Sequence, residues 1–184
     1  MYNYGDWFSI QISIIYTLIL VLLFLKYRNQ VKYDKVALTV LILQFFAFMA
    51  LMARSVIILT KSEQYNKFQW PFNTLSWGML WGCLYLLTFE MNRVRLIVSA
   101  TSHAQYLKNV RYHVMSKWMI LGIHCIKTVL LCVINYFQSQ GSINYKYEIT
   151  VYSKIELWCK VIVELYMYPL FLYCYFFFVS YHKK

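Results

Sequence analysis

The sequence predicts an all-α, polytopic integral membrane protein: one helical domain over residues 1–184 with about five transmembrane helices. Three observations carry this. Hydrophobic residues make up 61% of the chain and charged residues only 14%, against roughly a quarter charged in a soluble domain. The apolar residues fall in five stretches, each near the ~20 residues that cross a bilayer core as a helix. The basic residues gather in alternate connections, as the positive-inside rule asks.

The first stretch is Trp7–Leu25. It follows Met1-Tyr-Asn-Tyr-Gly-Asp-Trp7, which holds Asp6 and no Lys or Arg. That is neither a basic secretory n-region nor an Arg-rich transit peptide. The expectation is that the first helix targets itself, or that the protein is made in the organelle that uses it. The second stretch is Val36–Leu59. The third is Phe72–Phe89, with its helix running on to Arg95. The fourth is Met115–Phe137 and the fifth Leu157–Tyr181. Between the third and fourth, Leu96, Ala100, His103, Leu107, Val110 and Val114 recur at three- and four-residue steps. This predicts an amphipathic inner-face helix over 96–114, or an extension of the third helix.

With five crossings, Lys26, Arg28, Lys32 and Lys35 share a side with Arg93, Arg95, Lys108, Arg111 and the tail His182-Lys183-Lys184. The opposite side holds Asp6, then Lys61, Glu63 and Lys67, then Lys146, Glu148, Lys154 and Glu156, and is nearly neutral. The orientation expected is N-out and C-in. Tyr and Trp stand at the ends of the stretches, as at Trp7, Trp70, Trp118 and Trp158, where an interfacial belt wants them. The net charge of +11 is dispersed along juxtamembrane edges. It suits anionic lipid headgroups, cardiolipin if the membrane is mitochondrial, and not nucleic acid.

The fourth stretch is the most informative. At ~100° per residue, His113, Lys117, His124, Lys127, Thr128, Asn135 and Gln138 fall within a ~100° arc. Such a stripe should face other helices, a cavity or a partner. The fifth stretch offers Glu156, Lys160 and Glu164 at i, i+4 spacing. Lys127 lies ~15 Å and Glu164 ~10 Å from the outer ends, so the two are expected to pair across the fourth and fifth helices. Arg54, in the outer third of the second helix, is the competing partner. Such a set reads either as an ion pair that fixes packing or as a relay, and the expectation is packing.

Gly78-x-x-x-Gly82 predicts a close packing face. Pro169 is expected to interrupt and kink the fifth helix. The five cysteines, Cys83, Cys125, Cys132, Cys159 and Cys174, form no CxxC and read as small, buried, reduced side chains. His113 and His124 share one helix face ~16 Å apart and cannot share a haem iron. No His/Cys/carboxylate set has metal-ligand spacing. No cofactor is expected.

The run Phe89-Glu90-Met91-Asn92-Arg93-Val94-Arg95 resembles, over these few residues, the inner end of the third helix of rhodopsin-like receptors. The chain has two helices fewer than that family and lacks its outer cysteine. No catalytic motif is present. The function expected is a non-catalytic accessory subunit of a multi-subunit membrane complex, its partners being other membrane subunits. Tyr- and Phe-rich, Gly- and Pro-poor usage hints at A/T-rich coding. That points to the mitochondrial inner membrane and a respiratory-chain assembly, with plasma membrane or endomembrane as alternatives. The alternative function is a small transporter, channel or receptor-like protein using the polar stripe.

Overall fold

The structure is a computed structural model. It describes residues 11–12, 14–19, 21–22, 25–26, 35–60, 67–139 and 146–181, the side chains of 146–149 excepted. No strand occurs among them. The residues described between 11 and 26 are helical and form α1. Then follow α2 (Lys35–Thr60), α3 (Gln69–Ser99), α4 (His103–Ser139) and α5 (Lys146–Tyr181).

Three helical stretches are long and apolar enough to cross a membrane: Lys35–Thr60, His103–Ser139 and Thr150–Tyr181. α3 is not among them, and its place in the fold gives the reason. It packs against α2, α4 and α5. It also buries Ser76, Gly82, Cys83, Tyr85, Leu86, Thr88, Phe89, Asn92 and Leu96. A helix that faces protein on several sides can carry Asn, Ser, Thr and Gly where a lipid-facing helix cannot. α2, by contrast, exposes Ile42, Phe46 and Val56.

The core is a three-helix cluster of Tyr85 and Phe89 from α3, Ile120 from α4, and Val163 and Met167 from α5. A smaller cluster joins Val40 of α2 to Cys83 and Leu86 of α3. The Cys83 thiol donates to the Val40 carbonyl at 3.6 Å. Ala47, Ser55 and Ser76 are fully buried on α2 and α3. Among the described residues the two serine hydroxyls have no hydrogen-bond partner; here serine serves as a small residue. α1 touches α2 through Tyr16 stacked on Phe48, centroids 5.0 Å apart.

Two expectations change. The inner-face helix over 96–114 does not exist as a separate element. α3 continues to Ser99, the chain turns at 100–102, and α4 starts at His103 and absorbs the rest. The cause is a helix start signal, Ser102-His-Ala-Gln105. The Gln105 backbone N–H donates to Ser102 Oγ at 3.2 Å, and the Thr101 hydroxyl donates to the Gln105 side-chain carbonyl at 2.6 Å. α5 likewise begins at Lys146, well before the expected Leu157. At 37 and 36 residues, α4 and α5 are each ~55 Å long, more than a ~30 Å hydrocarbon core requires. Pro169 lies within α5, and the helix continues past it to Tyr181. Pro169 and the preceding-turn Leu165 are both exposed, so the ring displaces no neighbour.

Candidate functional site

The polar stripe of α4 divides in two. Most of it forms a seam with antiparallel α3. At one end the Lys117 ammonium donates to Glu90 Oε1 at 3.0 Å, and both side chains are less than one-fifth exposed. Arg93 pairs with the other Glu90 oxygen at 2.9 Å. Next to them the Asn92 amide lies 3.0 Å from His113 Nδ1. The Asn92 carbonyl accepts from Arg95 Nε at 3.0 Å and from its terminal nitrogen at 2.7 Å. Arg95 sits over the Tyr173 ring at 4.5 Å, which ties α5 to the same network.

Further along, His124 Nε2 meets the Gly78 carbonyl at 2.8 Å. A carbonyl only accepts, so Nε2 carries the proton; the buried Nδ1 has no partner among the described residues. The Tyr85 ring packs edge-on to this imidazole, centroids 4.9 Å apart. A Cβ at Gly78 would overlap the Thr128 side chain, whereas one at Gly82 would make an ordinary 3.8 Å contact with His124. Both glycines therefore face α4, and Gly78 marks the closest approach. Towards the far end, Asn135 donates to Thr74 Oγ1 at 2.5 Å, the Cys132 thiol to the Pro71 carbonyl at 3.6 Å, and Ser139 to the Lys67 carbonyl at 3.0 Å.

The rest of the stripe turns towards α5. Lys127 lies at its edge, about 80° round the helix from Lys117. It lines a cleft of about 500 Å³ between α3, α4 and α5, together with Glu156, Lys160 and Glu164. The expected Lys127–Glu164 pair is not formed, and among the described residues no carboxylate lies within 4.0 Å of Lys127. Glu164 instead has Lys160, one turn away on its own helix, at 4.0 Å. Lys127 makes no hydrogen bond to a described residue either. The competing Arg54 pair is also absent. Arg54 is half-buried on α2, and α2 packs on α3 while Glu164 belongs to α5.

The basic residues expected at headgroups part company in the same way. Lys35, Lys108 and Arg111 are exposed, as is the Lys26 position. Arg93 is also exposed, although it pairs with Glu90, and the half-buried Arg95 is held by Asn92. Arg28 and Lys32 lie outside the described residues. Of the cysteines, all five are free thiols, but only Cys83 and Cys174 are buried, and Cys125 is exposed. Among the described residues, no three His, Cys, Asp or Glu side chains are placed to hold a metal ion.

Glu90, Asn92 and Thr74 were missed as seam residues. Once the structure sets Gly78 against Thr128, Glu90 falls opposite Lys117, because Gly78 to Glu90 and Thr128 to Lys117 span nearly equal lengths of helix; the sequence alone does not supply that register.

Fold and site together define the class: an all-helical protein with three helices long and apolar enough to cross a membrane, consistent with an integral membrane protein. No family model, curated protein or solved structure matches the chain.

Proposed function

We propose that this chain is a non-catalytic structural or accessory subunit of a multi-subunit membrane complex. It would cross the membrane five times, N-out and C-in. The observation that carries this reading is the α3–α4 seam. A polar helix face becomes a conduction path only where it lines a cavity, and here His113, Lys117, His124 and Asn135 are spent on α3 of the same chain. Exposed aromatic and aliphatic side chains such as Trp118, Trp158 and Leu165 leave ample apolar surface for lipid or neighbouring subunits. Exposed Lys35, Lys108 and Arg111 suit anionic headgroups. The mitochondrial inner membrane and a respiratory-chain assembly, with cardiolipin as that lipid, are the preferred setting on residue usage alone.

Purification in a mild detergent followed by mass spectrometry tests the proposal. A fixed set of other membrane polypeptides at stoichiometric yield is expected. A monodisperse species containing this chain alone overturns it. One observation favours the transporter alternative, the charged cleft at Lys127. Ion or solute flux into vesicles holding the purified chain alone, abolished by Lys127→Met, would establish that reading instead.

A further inference from the structure

The cleft between α3, α4 and α5 holds two lysines and two glutamates, Lys127, Lys160, Glu156 and Glu164, of which only Lys160 and Glu164 form an ion pair among the described residues. On α5, Glu156, Lys160 and Glu164 stand one helical turn apart and all line it. Lys160 and Glu164 are 4.0 Å apart. Glu156 forms no ion pair with a described residue, and neither does Lys127 across the cleft on α4. The order along α5 from its N-terminal end is therefore a free carboxylate, then a basic level, then an acid already answered. The opposite wall holds Trp77, Trp81 and Tyr85 from one face of α3. A volume of about 500 Å³ lies within the ~300–1,000 Å³ of small-ligand sites.

An ammonium and a carboxylate that share a cavity, neither in an ion pair with a described residue, fit a ligand bearing both opposite charges. We propose that the cleft binds the headgroup of a zwitterionic phospholipid, its phosphate between Lys127 and Lys160 and its ammonium between Glu156 and the α3 aromatic wall. The phosphate would take charge-assisted hydrogen bonds from the two lysines. The ammonium would meet a carboxylate and aromatic faces, the recognised environment for such a cation. Glu156 and Lys160 are ~6 Å apart along the helix, the scale that separates nitrogen from phosphorus in an ethanolamine or choline phosphodiester. Of the α5 charges that line the cleft, Glu156 is nearest the helix's N-terminal end, so the ammonium lies towards that end and the acyl chains point away from it. The site is distinct from the basic helix ends that suit anionic lipid, and it does not depend on partner subunits.

The test is a titration of the detergent-purified protein, with any bound partners, followed by tryptophan fluorescence. The probes are dihexanoyl phosphatidylcholine, phosphatidylethanolamine and phosphatidylglycerol, with glycerophosphocholine and inorganic phosphate as headgroup-only controls. The two zwitterionic lipids are expected to bind about tenfold more tightly than the glycerol lipid. Lys127→Gln and Glu156→Gln should each weaken them about tenfold, and Lys127→Arg should retain binding. Glu156→Gln should also narrow the gap to phosphatidylglycerol. Equal binding of all three lipids, or identical titrations for wild type and both glutamine variants, overturns the site. Inorganic phosphate binding as tightly as the lipids makes it a plain anion site, and glycerophosphocholine doing so makes the ligand a soluble zwitterion; each overturns the lipid assignment.

Discussion

Lys117 and Lys127 stand on the same helix less than three turns apart, and the fold treats them oppositely. Lys117 faces α3, finds Glu90 at 3.0 Å and becomes part of a closed seam. Lys127 faces α5, finds no carboxylate within 4.0 Å among the described residues and borders open space. Both are lysines on one polar stripe, so residue type does not separate them. What separates them is the neighbouring helix and what it presents at that level. The seam behaves as cement because each donor meets an acceptor. The cleft can act as a site because Lys127 and Glu156 line it without an ion pair to a described residue.

Experiments that break this contrast should differ in size. The largest effect is expected at Glu90. Glu90→Gln leaves Lys117 and Arg93 without their carboxylate, and the loss should be about 2–3 kcal/mol of stability. Unfolding in increasing SDS within mixed micelles would measure it, and adding Lys117→Met should recover part of the loss. Gly78→Ala comes next, at about 2 kcal/mol, because its Cβ would overlap Thr128. Thr128→Ala in the same chain should relieve it, read as recovery of the thermal midpoint in detergent. Asn92→Ala should cost about 1–2 kcal/mol, since it strips both His113 and Arg95 of a partner. A midpoint equal to wild type would remove Asn92 from the seam.

Lys127→Met should leave stability within about 0.5 kcal/mol of wild type, or raise it, because no partner is orphaned. A loss as large as that of Glu90→Gln would show that the cleft is cement too. The smallest effect belongs to Gly82→Ala. Its Cβ meets only an ordinary contact with His124, so the midpoint should hold or rise slightly through reduced chain entropy.

Much of the helical layout was legible in the sequence, for a simple reason. A bilayer sets the length of an apolar stretch, and Val36–Leu59 differs from α2 by one residue at each end. The helix ends outside such stretches were less legible. Hydropathy says nothing of how far Lys146–Glu156 continues a helix, or that Ser102 starts one. The stripe on α4 could be read from periodicity, but its partner could not. Glu164 looked suitable by depth, and Glu90 was the acid that met a lysine of the stripe. Depth is one coordinate, and pairing also needs the rotation of each helix about its axis.

The sequence by itself determined that this chain is helical, that its apolar residues gather in stretches near membrane-spanning length, and that one face of α4 is polar; the structure has three helices that meet the length and hydropathy of a span. Those properties follow from composition and periodicity, which act residue by residue. The tertiary structure alone decided that α3 sits at the centre, that Gly78 lets α4 close against it, and that Lys117 is neutralised while Lys127 is not. Those outcomes depend on which helices are neighbours and at what register, and no local pattern encodes the choice among several compatible faces.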